Sequence, residues 1–126
     1  MLRILLAPAA LQDIESILRW THDTFGENIR LRYEELLIQA ILDLQADPAR
    51  AGSQRRPELA KDARSYHLRS SRDNVDNSIG RIRKPRHFVI YRIGTAGSLE
   101  IARVLHDSMD LAQHIPEEYR AATEID

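Results

Sequence analysis

A chain of 126 residues, 43% of them apolar and 29% charged, is long enough for one modest hydrophobic core and too short for two, so a single domain over residues 1–126 is expected. Cysteine is absent, which excludes disulfides, thiol nucleophiles and cysteine-held metals together, and no apolar run approaches the roughly eighteen residues of a membrane span. The formal net charge of -1 hides an uneven distribution: residues 1–49 carry four basic and eight acidic side chains, residues 50–92 twelve and four, and residues 93–126 two and seven.

In chain order, Leu2 to Leu6 reads as a short strand, and Pro8 stands where it fits the first turn of a following helix. The apolar start LRILLAPAAL is short and lacks a basic leader and a polar cleavage region, so it reads as strand and helix rather than as a targeting signal. The cytoplasm is the expected compartment. Leu11, Ile14, Ile17, Leu18 and Thr21 recur at helical spacing, and the pattern ends near Phe25, where Gly26 is suited to the positive backbone angle of a helix end. A second helical stripe follows at once through Ile29, Tyr33, Leu36, Leu37, Ala40, Ile41 and Leu44, so the two helices must run antiparallel. Leu11, Ile14, Leu18, Tyr33, Leu37, Ile41 and Leu44 are expected to face a sheet. The second helix stops near Asp47-Pro48, because proline clashes with continued helix and restricts the residue before it.

Residues 49–63 hold little apolar material and read as loop with one short turn. Tyr66 and Leu68 alternate with His67 and Arg69, which predicts a short strand. Asp73 to Ser78 is polar and turn-prone, and with Gly80 it suggests a long loop or a mobile excursion.

The stretch RHFVIYRIGTAGSLEIARVLH, Arg86 to His106, organises the rest. His87, Val89, Tyr91 and Ile93 fall on one side of an extended chain and Phe88, Ile90 and Arg92 on the other. Gly94 and Gly97 bracket the reversal, and Leu99 to Leu105 supplies the return strand of an antiparallel hairpin. Beyond it, Asp107 is placed to cap a short helix with Asp110 in its first turn, and Pro116-Glu117-Glu118 looks like the start of a last helical turn. The fold class is therefore α+β: an N-terminal strand and an antiparallel helical hairpin packed on a mainly antiparallel sheet, with a short helical C-terminal tail. The helices cover one face of the sheet; the other is left to solvent, to the tail or to a partner.

Chemistry is sparse in this sequence. There is no phosphate-cradling glycine loop and no HExxH. His106, Asp110 and His114 have helical spacing, but His106 reads better as a strand end, so no metal and no cofactor is expected. His22, His67 and His87 look like scattered surface or packing residues. Tyr66, His67, Tyr91, His106 and Tyr119 are formally available for acid–base work on a phosphate. The excess of cations in residues 50–92 is either a solvated face or a patch for nucleic acid or an acidic protein partner. On the second reading Arg69, Arg81 and Arg92 would pair with carboxylates of a partner segment that also supplies apolar anchors.

The patterns ALQDIESILRW, TFGE, YEELLIQAILDLQADP, HFVIYRI and LEIARVLHDSMDLAQHIP resemble the ParE branch of the RelE/ParE toxin superfamily over nearly the whole chain, RVLHDSMD followed by HIP being the most specific part. The resemblance implies an antitoxin of ParD type encoded alongside, whose C-terminal part wraps and neutralises the toxin in a hetero-oligomer, and it implies DNA gyrase as the poisoned target. By the same resemblance Arg103, His106 and Asp110 occupy the characteristic positions at the last strand and its exit, and Arg92 follows the tyrosine of the preceding strand. Arg69 to Pro85 is longer than the connection found there in relatives. The RelE branch, made of ribosome-dependent mRNA endonucleases, is the alternative, although Tyr119 is offset beyond HIP from the position that role requires. A scaffold of this type that binds a partner without poisoning anything is a third reading.

Overall fold

The computed structural model describes residues 1–76, 78–117 and 119. Its elements run β1 (Arg3–Leu6), α1 (Pro8–Phe25), α2 (Glu27–Ala46), β2 (Ser53–Arg55), β3 (Arg64–His67), a 3-10 helix (Leu68–Asn74), β4 (His87–Ile93), β5 (Ser98–His106) and a second 3-10 helix (Leu111–His114). The five strands form one sheet in the order β1-β5-β4-β3-β2. β1 is parallel to β5, and every other pairing is antiparallel.

Pro8 opens α1, as its missing N–H allows. Gly26 alone separates the helices, with φ of 92° and its N–H on the His22 carbonyl at 2.8 Å; glycine takes this angle without steric cost. The end of α2 returns to the start of the chain, where Gln45 Nε2 donates to the Leu2 carbonyl at 2.7 Å. α2 ends at Asp47, whose carboxylate accepts from the Ala49 N–H at 3.2 Å. Among the described residues no helix is long and apolar enough to cross a membrane.

The sheet has a core on each face. Leu36, Leu37, Ala40 and Leu44 of α2 pack with Val89, Tyr91, Leu99, Ile101 and Val104, and α1 adds buried Ala10 and half-buried Ile14, Ile17 and Leu18. Leu11 departs from expectation: it is 46% exposed, because Ala10 and Thr21, rather than the first leucine of the stripe, define the buried side of α1. The opposite face is covered as well. Phe88, Ile90, Ala102 and Leu105 of the central hairpin pack with Leu59, Ala60 and Ala63 from the turn before β3 and with Leu111, Ile115 and Tyr119 from the tail.

Three local readings are corrected. The segment read as loop contains the edge strand β2, whose sequence Ser-Gln-Arg has little strand propensity; pairing to β3 makes it a strand, and Ser53 Oγ lies 2.5 Å from Tyr91 Oη. β3 begins at Arg64 and stops at His67, since His67 caps a 3-10 helix through Leu68–Asn74 by accepting the Arg69 N–H. Asp110, not Asp107, caps the next 3-10 helix, accepting from the Ala112 N–H at 3.2 Å; the Asp107 carboxylate is held elsewhere. The Tyr119 N–H bonds to the Pro116 carbonyl at 3.0 Å, which closes a turn where one was expected. Glu118, Arg120 and residues 121–126 lie outside the described residues, as does Asn77 of the excursion.

Candidate functional site

The site is assembled by an irregularity in the hairpin. Gly97, at φ of 70°, makes the turn, and from it Ile93 pairs with Leu99, Arg92 with Glu100 and Tyr91 with Ile101. Ile90 then pairs with Arg103, so Ala102 is an extra residue on β5, a bulge that shifts the register by one. Side chains 99 and 101 face the helices before it, and Val104 and His106 fall on that side after it. His87 is thereby brought opposite His106, with ring centroids 5.3 Å apart and planes at 84°.

Around this pair the ends of β3, β4 and β5 converge. Tyr33 of α2 lies edge-on to His87, its hydroxyl 2.5 Å from His87 Nδ1. That hydroxyl oxygen also accepts the Arg86 N–H at 3.2 Å, which leaves its own proton for the histidine. Burial pushes the Tyr33 phenol up to about 12. Burial, reinforced by neighbouring His106, pushes His87 down to about 4, so its ring is neutral near pH 7. Ser108 donates its N–H to His106 Nδ1 at 3.1 Å, with its hydroxyl 2.7 Å from the same atom. By this network each ring carries its proton on Nε2.

Asp107 is the anchor behind them. Arg86 grips its carboxylate through Nε and Nη2 at 2.9–3.1 Å, and His67 Nε2 lies 3.1 Å from Oδ2. The Arg69 N–H occupies His67 Nδ1, so His67 donates to the carboxylate from Nε2. Arg86 chiefly, against a desolvation penalty and with help from His67, holds the Asp107 carboxyl at about 2, while burial lowers His67 below its ordinary range. Beside this constellation opens a cavity of about 380 Å³ walled by Tyr33, Ile29, Ile82, His87 and His106, with exposed Trp20 and Phe25 at its mouth and exposed Lys84 and Arg86 on its rim.

These groups contribute to the pH profile of stability, with His67 adding to the first limb and Asp43 to the second. The unfolded chain takes up a proton at His87 near 6.5 that the folded chain takes only near 4. Stability therefore declines as pH falls through that interval, and declines again from about 3.8 to about 2 as Asp107 is forced to protonate. Urea midpoints across pH should show both limbs. His87→Gln should make the first shallower and Asp107→Asn the second; a profile unchanged by either substitution contradicts the assignment.

Of the six candidate site residues taken from sequence, Arg69, Arg81, Arg92, Arg103, His106 and Asp110, only His106 borders this cavity. Arg103 is tied to Asp13 of α1 through Nε and Nη2 at 2.7 and 2.8 Å and to the His114 carbonyl at 2.7 Å. Arg92 pairs with Glu100 at 3.4 Å, and its guanidinium lies 3.9 Å from the centroid of the Tyr119 ring. Arg81 bonds to the carbonyls of Asp73 and Val75, and Arg69 is exposed on the 3-10 helix after β3. Asp110 is a helix cap, and among the described residues no hydrogen bond or ion pair joins any two of these six. Nor does any group of three or more His, Asp or Glu among the described residues converge as metal ligands. His67 and His87 are packing residues, as one side of the reading had it, against Phe88 and Tyr33, but they are not scattered: His87 faces His106, and His67 holds Asp107. The His87–His106 pairing depends on Ala102 being an extra residue, whereas an unbulged hairpin continued from Tyr91–Ile101 would set His87 opposite Leu105.

No curated protein matches the chain in sequence. Residues 4–111, which include all of β2–β5 and both helices, match the family described as ParE toxin of type II toxin-antitoxin system, parDE. The match takes in all but the first residue of β1 and stops at the first residue of the last 3-10 helix. Strand, helical hairpin and mainly antiparallel sheet agree with this assignment, and the chain belongs to the ParE toxin family of type II toxin-antitoxin systems.

Proposed function

We propose that this toxin acts in the cytoplasm by inhibiting DNA gyrase and so blocking replication, and that a ParD-like antitoxin neutralises it in a toxin–antitoxin hetero-oligomer. The family match over residues 4–111 carries this reading, since membership implies an antitoxin partner. The covered second face of the sheet supports a non-nuclease action. A sheet-borne endonuclease needs basic side chains open to RNA, yet here Leu59, Ile115 and Tyr119 lie across that face and Arg92 is stacked on Tyr119.

Arg103, Arg92 and Arg81 all have partners within the chain, which leaves exposed Arg69 the best placed of the four arginines to meet a carboxylate of the antitoxin. Induction in cells should stop growth, alter plasmid supercoiling and accumulate broken DNA without translation-dependent mRNA cleavage. Co-expressed antitoxin should restore growth, and Arg69→Glu should weaken that rescue. Cleavage of mRNA on translating ribosomes, with supercoiling unaffected, would favour the RelE-type alternative instead.

A further inference from the structure

We infer that the cavity over His87 and His106 is a nucleotide-binding site, taking a base against its aromatic mouth and a phosphate at its cationic rim. Trp20 and Phe25 stand on the last turns of α1, each 60% exposed, with centroids 5.6 Å apart and planes at 81°. Two large aromatic rings left in water beside an apolar cavity offer a stacking surface of the kind that accepts a base, since every base has a π-face. The 380 Å³ volume lies at the lower end of the range for small-ligand sites and suits one nucleotide rather than a larger cofactor.

The polar groups narrow the ligand further. With both Nδ1 atoms engaged, His87 and His106 have Nε2–H donors without a hydrogen-bond partner among the described residues. Neither is sealed in: Arg50 Nε is the single buried unpartnered side-chain atom among those residues. Both rings line the otherwise apolar cavity, so its wall holds two donors for an acceptor-bearing edge, such as the carbonyl oxygens and ring nitrogens of a base. At the rim, exposed Lys84 has no hydrogen bond or ion pair among the described residues, and Arg86 keeps Nη1 unused while its other nitrogens hold Asp107. Neither Glu27 nor Asp23, the acidic residues flanking Phe25 in sequence, lines the cavity, and Glu27 is paired with Arg30. A flat, acceptor-edged, negatively charged ligand meets all of these features, whichever cellular target the toxin has.

Trp20 is the only tryptophan of the chain, so its fluorescence reports on the mouth directly. Titration of the full chain with AMP, GMP, CMP and UMP should quench it saturably for at least one of them, with a dissociation constant of about 0.1–1 mM. Inorganic phosphate alone should not quench it. Lys84→Glu, at an exposed position, should weaken the monophosphate about tenfold and leave the matching nucleoside nearly unchanged; ring ¹H–¹⁵N shifts of His87 and His106 should move on binding in the unsubstituted protein. Ten-residue single strands of deoxythymidine and of uridine distinguish the source: binding at least tenfold tighter than the mononucleotide and falling steeply with salt identifies a nucleic-acid strand, and equal affinity identifies a free nucleotide. No saturable quenching by any nucleotide or strand would overturn the inference. So would quenching only by an acidic peptide with an aromatic anchor, which would make the cavity a peptide site.

Discussion

Asp13→Ala should lower the free energy of unfolding by about 3 kcal/mol, because it leaves a largely buried guanidinium and a backbone N–H without their acceptor. Asp13 lies in the second turn of α1, yet its carboxylate belongs energetically to the sheet. β1 accompanies β5 only as far as Ile101, and three residues later, on the edge that β1 has left open, the Val104 N–H donates to Asp13 Oδ2 at 2.9 Å. The same carboxylate takes both bonds from Arg103, whose side chain is 22% exposed against 14% for Asp13. One acceptor thus fastens helix to strand immediately after the bulge. Urea midpoints measure the loss, and a double substitution separates its causes: Asp13→Ala with Arg103→Met should be more stable than Asp13→Ala alone, since no charge is then left unpaired. If the two losses simply add, the pair is not coupled and the explanation fails.

Ending the chain after Asp110 should be at least as damaging. The truncation removes Leu111, Ile115 and Tyr119, each no more than 7% exposed, and uncovers Ile90, Ala102 and Leu105 beneath them. At about 1.5–3 kcal/mol for each fully buried large side chain, less what the unfolded chain already hides, the expected cost is about 5 kcal/mol. That is comparable with the whole stability of many domains of this size. The truncated chain should bind a hydrophobic dye and lose its cooperative thermal transition. A sharp transition within a few degrees of the parent would show that the tail is only laid on the surface. The tail beyond Leu111 lies outside the span that matches the family, so this part of the core rests on the packing of this chain.

The helices and the central hairpin were legible because burial on one face imposes a period, and the period survives in Tyr33, Leu36, Leu37, Ala40 and Leu44 and in Val89 and Tyr91. What escaped has a different physical origin. β2 is a strand by virtue of its neighbour, with no apolar residue of its own. The basic excess of residues 50–92 looked like a surface for a partner, but charge counted along a chain ignores where acceptors lie in space. Arg81 meets backbone carbonyls, Arg92 meets Glu100 and an aromatic ring, and Arg50 lies 3.4 Å from the Asp43 carboxylate. The histidines were overlooked for a third reason, since a one-residue slip in strand register is invisible in composition and yet decides which rings meet.

The parallel pairing of β1 with β5 also bears on when this chain becomes a toxin. Arg3 is aligned with Ser98 and Leu6 with Ile101, so β1 finds its neighbour only after β5, the last strand among the described residues, has been made. Contacts this distant in sequence are slow to form, because the closure entropy of the intervening chain is lost before they contribute anything. During those seconds of synthesis, at about 5–20 residues per second, the sheet lacks one edge and its central hairpin. Any activity that needs the closed sheet therefore begins no earlier than the synthesis of β5.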